Sequence, residues 1–393
     1  MLAIHGGKPV RDSFLSYGKQ YIDDEDINAV IEVLKSPFLT QGPAVERFED
    51  AVAKYVGAKH AVAFANGTAA LHGAYYAAGV TKGDEIITPA MTFAATVNAA
   101  LYQGARPVFS DIDKDTYNLD PKKIEDKITE RTKAIVSVDY TGQPVDYHSF
   151  QKLAKKHHLV FISDGAHSLG ATFEGRKVGK QADMTMFSFH PVKPVTTGEG
   201  GIVVTDNSVY ANQLRLFRSH GITKTEVSEK EGPWFYEMVE LGMNYRMNDI
   251  QAALGTSQLR KIDEFILKRK KISEQYTTRF QKIPGLITPK QLNHTESGWH
   301  LYILQLDLSC FSVGRKEIFE ALRAENIGVH VHYIPVYKHP YYRKLGYTSM
   351  KTPITEEIYE GIITLPIFPT MTKKDVEDVI TSVLKVISEY KIK

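Results

Sequence analysis

The chain has 393 residues, 43% hydrophobic and 24% charged, with 48 Lys and Arg against 46 Asp and Glu for a net charge of +2. That balance excludes a strongly basic nucleic-acid module and an acidic tail protein, and the length holds two to three domains at about 150 residues each. The single cysteine, Cys310, cannot close an intramolecular disulfide and no stretch has the apolar length of a bilayer span, so a cytoplasmic protein without membrane or nucleic-acid partners is expected.

Taken in chain order, residues 1–35 form an arm with one amphipathic helix at 24–34, capped by Asp23. From 36 to 260, apolar runs at 60–64, 85–88, 106–111, 134–138, 159–163, 184–189 and 201–204 alternate with helical patterns at 68–78, 94–103, 121–127 and 147–156. Several runs lack polar alternation, as strands buried on both faces of a parallel sheet do. The class is therefore α/β, with a mostly parallel seven-stranded sheet in a large domain. Between 223 and 233 apolar periodicity is lost, which predicts a mobile surface loop, placed to act as a flap near substrate. Residues 261–393 read as a smaller α+β domain. It holds a charged helix at 262–280, a strand at 299–306, a helix at 315–325, a strand at 329–333 and a last helix from about Thr372. The Lys-Arg-Lys-Lys run at 268–271 reads as a solvated helix face.

Four segments carry chemistry. In Phe64-Ala65-Asn66-Gly67-Thr68-Ala69, a strand gives way to a helix, and the amides of Gly67, Thr68 and Ala69 would suit an anion. The same residues also make an ordinary helix cap. In Ile162-Ser163-Asp164-Gly165-Ala166-His167, a strand delivers Asp164 to its carboxyl end, where α/β sheets hold ligands. A shielded carboxylate there needs a cation, such as a protonated pyridine nitrogen, unless it only caps a helix. His167 could touch the same ring, or be a satisfied core histidine. In Ser188-Phe189-His190-Pro191-Val192-Lys193-Pro194, Lys193 lies 29 residues beyond Asp164. A lysine buried beside an aldehyde can form a Schiff base, with its pKa lowered, whereas a loop lysine is merely solvated. Ser188 could donate to a phosphate. In Leu241-Gly242-Met243-Asn244-Tyr245-Arg246, Asn244 and Arg246 could reach a ligand or simply cap and pair. Phe93 follows an apolar strand and could stack on a flat ring or pack in the core. His330 and His332 share a strand face without a third ligand, so no metal site is expected.

In this order, the segments resemble the fold-type I, pyridoxal-phosphate-dependent sugar-nucleotide aminotransferases of the DegT/StrS group. The resemblance rests on Gly18-Lys19-Gln20-Tyr21-Ile22-Asp23, Leu39-Thr40-Gln41-Gly42-Pro43, residues 66–71, 164–167 and 188–193, His332-Tyr333-Ile334-Pro335 and Leu365-Pro366. It implies that Lys193 is the Schiff-base lysine and proton shuttle, and that Asp164 pairs with the pyridine nitrogen. It also implies that Phe93 stacks on the ring, that His167 lies near its phenolic oxygen, and that Gly67, Thr68, Ala69 and Ser188 hold the phosphate. Asn244 would reach that phosphate from a neighbouring subunit, which makes a homodimer with shared sites. His332, Tyr333 and Arg246 would face substrate. One departure is Ser163-Asp164-Gly165-Ala166, where the family usually shows Glu-Asp-Ala-Ala; the aspartate is kept.

Within the family, residues 188–197 and Trp234-Phe235-Tyr236-Glu237 resemble the 4-aminotransferases of pseudaminic acid synthesis. That implies L-glutamate as donor and UDP-2-acetamido-2,6-dideoxy-β-L-arabino-hex-4-ulose, a UDP-linked 4-keto-6-deoxy sugar, as acceptor. Three rivals remain: an enzyme for another C3 or C4 keto sugar, a dehydratase of the same fold, and a non-catalytic binding protein. The dehydratase replaces the lysine with histidine, and a binding protein would lose Lys193 or Asp164; both are present here.

Overall fold

A computed structural model describes residues 1–392. The apolar runs become β1 (His60–Phe64), β2 (Glu85–Pro89), β3 (Arg106–Ser110), β4 (Thr132–Val138), β5 (Val160–Asp164), β6 (Met184–Ser188) and β7 (Gly201–Thr205). They form one sheet in the order β1-β7-β6-β5-β4-β2-β3. β7 runs antiparallel to both its neighbours, and all other pairs are parallel.

Both sheet faces are covered, and the two-residue period of a strand shows how. Ala61, Ala63, Ile87, Phe161 and Phe187 point into one apolar cluster, with Phe48 and Phe150. Val62, Phe64, Ile86, Ile162, Met184 and Met186 point into the other, with Ala70, Ala74 and Leu214. The first cluster is covered by α2 (Pro43–Val56) and α5 (Tyr147–His157), the second by α3 (Gly67–Ala77) and α6 (Ser208–Arg218). α3 can lie close to the sheet because its buried face is built of small residues. A Cβ on Gly73 would come 2.7 Å from Cζ of Phe64.

A third cluster combines Tyr276 and Phe280 of α8 (Ile262–Phe280), Ile318 and Leu322 of α9 (Arg315–Ala324), and Val379 and Val383 of α10 (Lys373–Tyr390). It lies against a three-stranded antiparallel sheet of β8 (Leu286–Ile287), β9 (Tyr302–Leu306) and β10 (Ile362–Leu365). Leu2 and Leu15 of the arm pack into it. α1 (Asp24–Lys35) starts as expected at Asp23, whose side chain accepts from Asp26 N–H while Asp26 answers in a capping box. Thr372 and Asp375 cap α10 in the same way.

Several expectations need correction. Residues 121–127 form two 3₁₀ turns, Pro121–Lys123 and Glu125–Lys127, rather than a helix. Ser110 Oγ takes the Lys123 carbonyl that a following helical amide would need. Residues 329–333 are not a strand, and only His330 pairs, with Thr364. Side chains take the other backbone groups: Val331 N–H donates to His330 Nδ1, and the Tyr140 hydroxyl donates to the His332 carbonyl. β9 begins at Tyr302 rather than 299, because Trp299 adopts a positive φ of 45°. The 223–233 segment carries a six-residue helix, Glu226–Glu231, between the paired strands Ile222–Thr223 and Glu237–Met238. The side chains of residues 227–229 lie outside the described residues.

Candidate active site

A cavity of about 950 Å³ opens at the carboxyl ends of the parallel strands. The fold brings most of the singled-out residues to it. β5 ends on Asp164, β6 on Ser188, and the turn after β6 carries Lys193. The start of α3 supplies Gly67, Thr68 and Ala69, and the start of α4 (Ala94–Tyr102) supplies Phe93. His332 and Tyr333 close the wall.

Asp164 is 4% exposed. Thr96 Oγ1 donates to its Oδ2 at 2.6 Å and Ala166 N–H to its Oδ1 at 3.1 Å. Burial still lifts its carboxyl above the usual range, against the pull of these bonds and of Lys193. Such a carboxylate gains most from a cation placed against it. Burial pushes the Lys193 amine down to about 8, with Asp164 opposing. Its turn is fixed by the Lys193 N–H donating to the His190 carbonyl at 2.9 Å. Its Nζ lies 3.3 Å from His300 Nε2.

His167 accepts from Thr141 N–H at Nδ1, 3.2 Å away, so its proton sits on Nε2 and donates to the Tyr333 hydroxyl at 3.1 Å. Burial holds its pKa well below the ordinary value, with the Lys193 and His332 charges adding to this. It is a neutral donor aimed along the cavity wall. Phe93 is 60% exposed, so its ring is not core packing; it stands at the mouth, 5.9 Å from the Tyr333 ring.

At the start of α3 both sequence readings hold, for different amides. Asn66 Oδ1 accepts from Ala69 N–H at 2.9 Å, which removes that amide from any anion site. The N–H groups of Gly67 and Thr68 keep no partner among the described residues. A Cβ on Gly67 would stand 3.2 Å from both Cβ and Oγ of Ser188, narrowing the cradle between α3 and β6. Two free amides and a serine hydroxyl suit a phosphate. A buried carboxylate suits a pyridinium, and a low-pKa lysine suits an aldehyde. The donor set fits pyridoxal phosphate.

Asn244 and Arg246 do not line this cavity in their own chain. Asn244 is exposed and bridges Ser219, outside the cavity of its own chain. Arg246 lines a separate cavity of about 590 Å³, beside Glu49 and Arg218. Among the described residues no trio of His, Cys, Asp or Glu is placed to hold a metal ion. No helix among them is long and apolar enough to cross a membrane. Sequence reasoning missed Thr96, Tyr17 and His300, which also line the cavity. Thr96 had a faint signal, three residues beyond Phe93. His300 had none, since it was absorbed into a strand that starts two residues later.

The profile of the DegT/DnrJ/EryC1/StrS aminotransferase family matches residues 20–384. The spore coat polysaccharide biosynthesis protein SpsC of Bacillus subtilis is 42% identical, over 96% of this chain and 98% of its own. The UDP-4-amino-4,6-dideoxy-N-acetyl-beta-L-altrosamine transaminase of Campylobacter jejuni is 41% identical, over 94% and 98%. Among solved structures, Helicobacter pylori PseC, an aminotransferase of pseudaminic acid biosynthesis, superposes with a TM-score of 0.90 at 38% identity, covering 96% of this chain and 100% of its own. The PLP form of a sugar aminotransferase from Streptococcus pneumoniae gives 0.89 at 29% identity, over 96% and 99%. The chain belongs to the DegT/DnrJ/EryC1/StrS family. It is a pyridoxal-phosphate-dependent aminotransferase acting on nucleotide-linked sugars.

Proposed function

We propose that the enzyme moves the amino group of L-glutamate to the C4 keto group of UDP-2-acetamido-2,6-dideoxy-β-L-arabino-hex-4-ulose. The product is UDP-4-amino-4,6-dideoxy-N-acetyl-β-L-altrosamine. The observation that carries the chemistry is the meeting of Lys193, Asp164 and the open start of α3 in one cavity. The choice of sugar is supported by the likeness to the Campylobacter and Helicobacter proteins.

When bound, pyridoxal phosphate supplies an aldehyde for amines and a pyridinium that draws electrons from the reacting carbon. Asp164 would pair with the ring nitrogen and favour its protonated form, while Thr96 and Ala166 fix the carboxylate oxygens. Gly67, Thr68 and Ser188 would hold the phosphate, Phe93 would lie against the ring, and His167, its one N–H given to the Tyr333 hydroxyl, would stand near the phenolic oxygen. Lys193 moves the proton. A pKa of about 8 leaves part of the amine neutral at physiological pH, ready to take the donor's α-proton at Nζ and return one to sugar C4. His332 and Tyr333 face the sugar nucleotide.

The active unit is a homodimer in which Asn244 serves the partner's phosphate site. Asn244 is exposed and does not line the cavity of its own chain, and Trp234, Tyr236, Met238 and Leu241 nearby in sequence are all exposed, an apolar stretch suited to a second copy.

The test begins with an absorbance spectrum of the purified protein before and after L-glutamate. A visible-edge band that shifts to shorter wavelength supports cofactor and donor. A protein that stays colourless after incubation with pyridoxal phosphate overturns the reading. Mass spectrometry with a panel of UDP-linked keto sugars then tests the acceptor. The second reading, a different C3 or C4 keto sugar, is favoured by the equal likeness to the Bacillus protein. Faster amination of such a sugar would replace the altrosamine assignment.

A further inference from the structure

His300 has no task in the reading above, yet it is the hydrogen-bonding neighbour of the Lys193 amine. Its Nε2 lies 3.3 Å from Nζ, and its ring is 4.5 Å from that of His167. It is 4% exposed, and its Nδ1 has no partner among the described residues. It belongs to irregular chain before β9, so no ladder of hydrogen bonds sets its position.

Arg269 of α8 does that instead. Its Nη1 donates to the carbonyls of Trp299 and His300, at 3.3 Å each, and of Ile367 at 2.7 Å. Arg269 is 1% exposed, so the 268–271 run is not the wholly solvated face expected of it, and no carboxylate among the described residues lies within salt-bridge distance of the guanidinium. Burial pushes its pKa down to about 10. A buried cation without a counter-ion is costly, and an apolar side chain would fill the space more cheaply. What the guanidinium adds is the fixing of three carbonyls, one of them that of His300 itself.

We propose that His300 is a positioning residue for the Lys193 amine, set against it by the buried Arg269 clamp. The proposal rests on Lys193 being the reactive lysine. A protonated Lys193 has no lone pair, so Nε2 is the acceptor and the imidazole proton sits on Nδ1. Burial, with the neighbouring Lys193 and Arg269 cations adding to it, holds the His300 pKa well below its ordinary value. The ring therefore stays neutral. It takes no proton from the lysine. It fixes the direction of one N–H and leaves the rest of the amine facing the cavity and Asp164.

The test uses the full-length protein freed of cofactor. The pH dependence of Lys193 modification by trinitrobenzenesulfonate, read by peptide mass spectrometry, gives the midpoint of its titration. His300→Leu keeps the site dry and removes the acceptor. The bond that favours the charged amine is lost, so the midpoint falls by about one unit. His300→Gln restores an acceptor and returns the midpoint to the wild-type value. Equal midpoints for wild type, His300→Leu and His300→Gln overturn the proposal, as does a rise in His300→Leu. A purely structural role would lower the melting temperature of both variants without separating their midpoints.

If His300→Leu does not fold, Arg269→Met and Arg269→Lys carry the same comparison. Arg269→Met frees the His300 carbonyl and lowers the midpoint, Arg269→Lys keeps a donor and does not, and equality of the two overturns the proposal. Borohydride reduction of the holoenzyme with peptide mapping labels Lys193 whether or not His300 orients it. Label on another residue would strike the functional reading rather than this one.

Discussion

Replacing Lys193 by Met should stabilise the cofactor-free protein, although it removes the catalytic amine. The lysine is half-buried, and the fall of its pKa from 10.5 to about 8 measures how much the fold disfavours its charge. At about 1.4 kcal/mol per unit, that is about 3 kcal/mol near neutral pH. This is a ceiling, because the cavity admits water and because Asp164 loses its cation; a gain of about 1–2 kcal/mol is the working expectation. Met has the length to fill the stem's track without a charge. The gain has a definite pH profile. Below pH 8 the lysine is protonated in both folded and unfolded chains, so the full gain is present. Between 8 and 10.5 the unfolded wild type binds a proton that the folded one has released, so wild-type stability rises with pH and the variant's advantage shrinks. Urea unfolding of both cofactor-free proteins at several pH values reads the difference directly, provided the m-values agree. An advantage absent near pH 7, or undiminished near pH 10, would refute the claim that burial of the charge sets the Lys193 pKa.

Other outcomes follow from the same geometry. Asp164→Asn should leave the fold intact and cut kcat by about a hundredfold to a thousandfold, because an amide cannot hold the ring nitrogen protonated; steady-state kinetics checks this. Asn66→Ala should cost about 1 kcal/mol in urea unfolding by removing the cap on Ala69 N–H. Gly67→Ala should weaken pyridoxal phosphate binding about tenfold or more in a fluorescence titration, since the new methyl meets Ser188 at 3.2 Å. Mixing inactive Lys193→Ala and Asn244→Ala proteins should regain activity through heterodimers carrying one intact site; if the mixture stays dead while exchange is shown, Asn244 does not serve its partner.

How much of this was legible in the sequence depends on where each hydrogen bond goes. The central strands were legible because burial on both faces leaves unbroken apolar runs, and Ile162 and Phe161 need no partner beyond the sheet and its two clusters. Asp164, Ser188 and Lys193 were legible because strand ends and a proline-flanked turn put chemistry-bearing residues at predictable places. Residues 329–333 look like a strand by composition, yet the Tyr140 hydroxyl and His330 Nδ1 take the backbone groups that a ladder would use. Those partners lie far away in sequence or in side-chain torsions, and no local pattern encodes them. The same holds for Thr96, which completes Asp164 across 68 residues, and for His300, which meets Lys193 across 107. A sequence announces the groups that react. The groups that aim them come from distant parts of the chain, and only the folded packing of α4, α8 and the strand ends brings the two sets together.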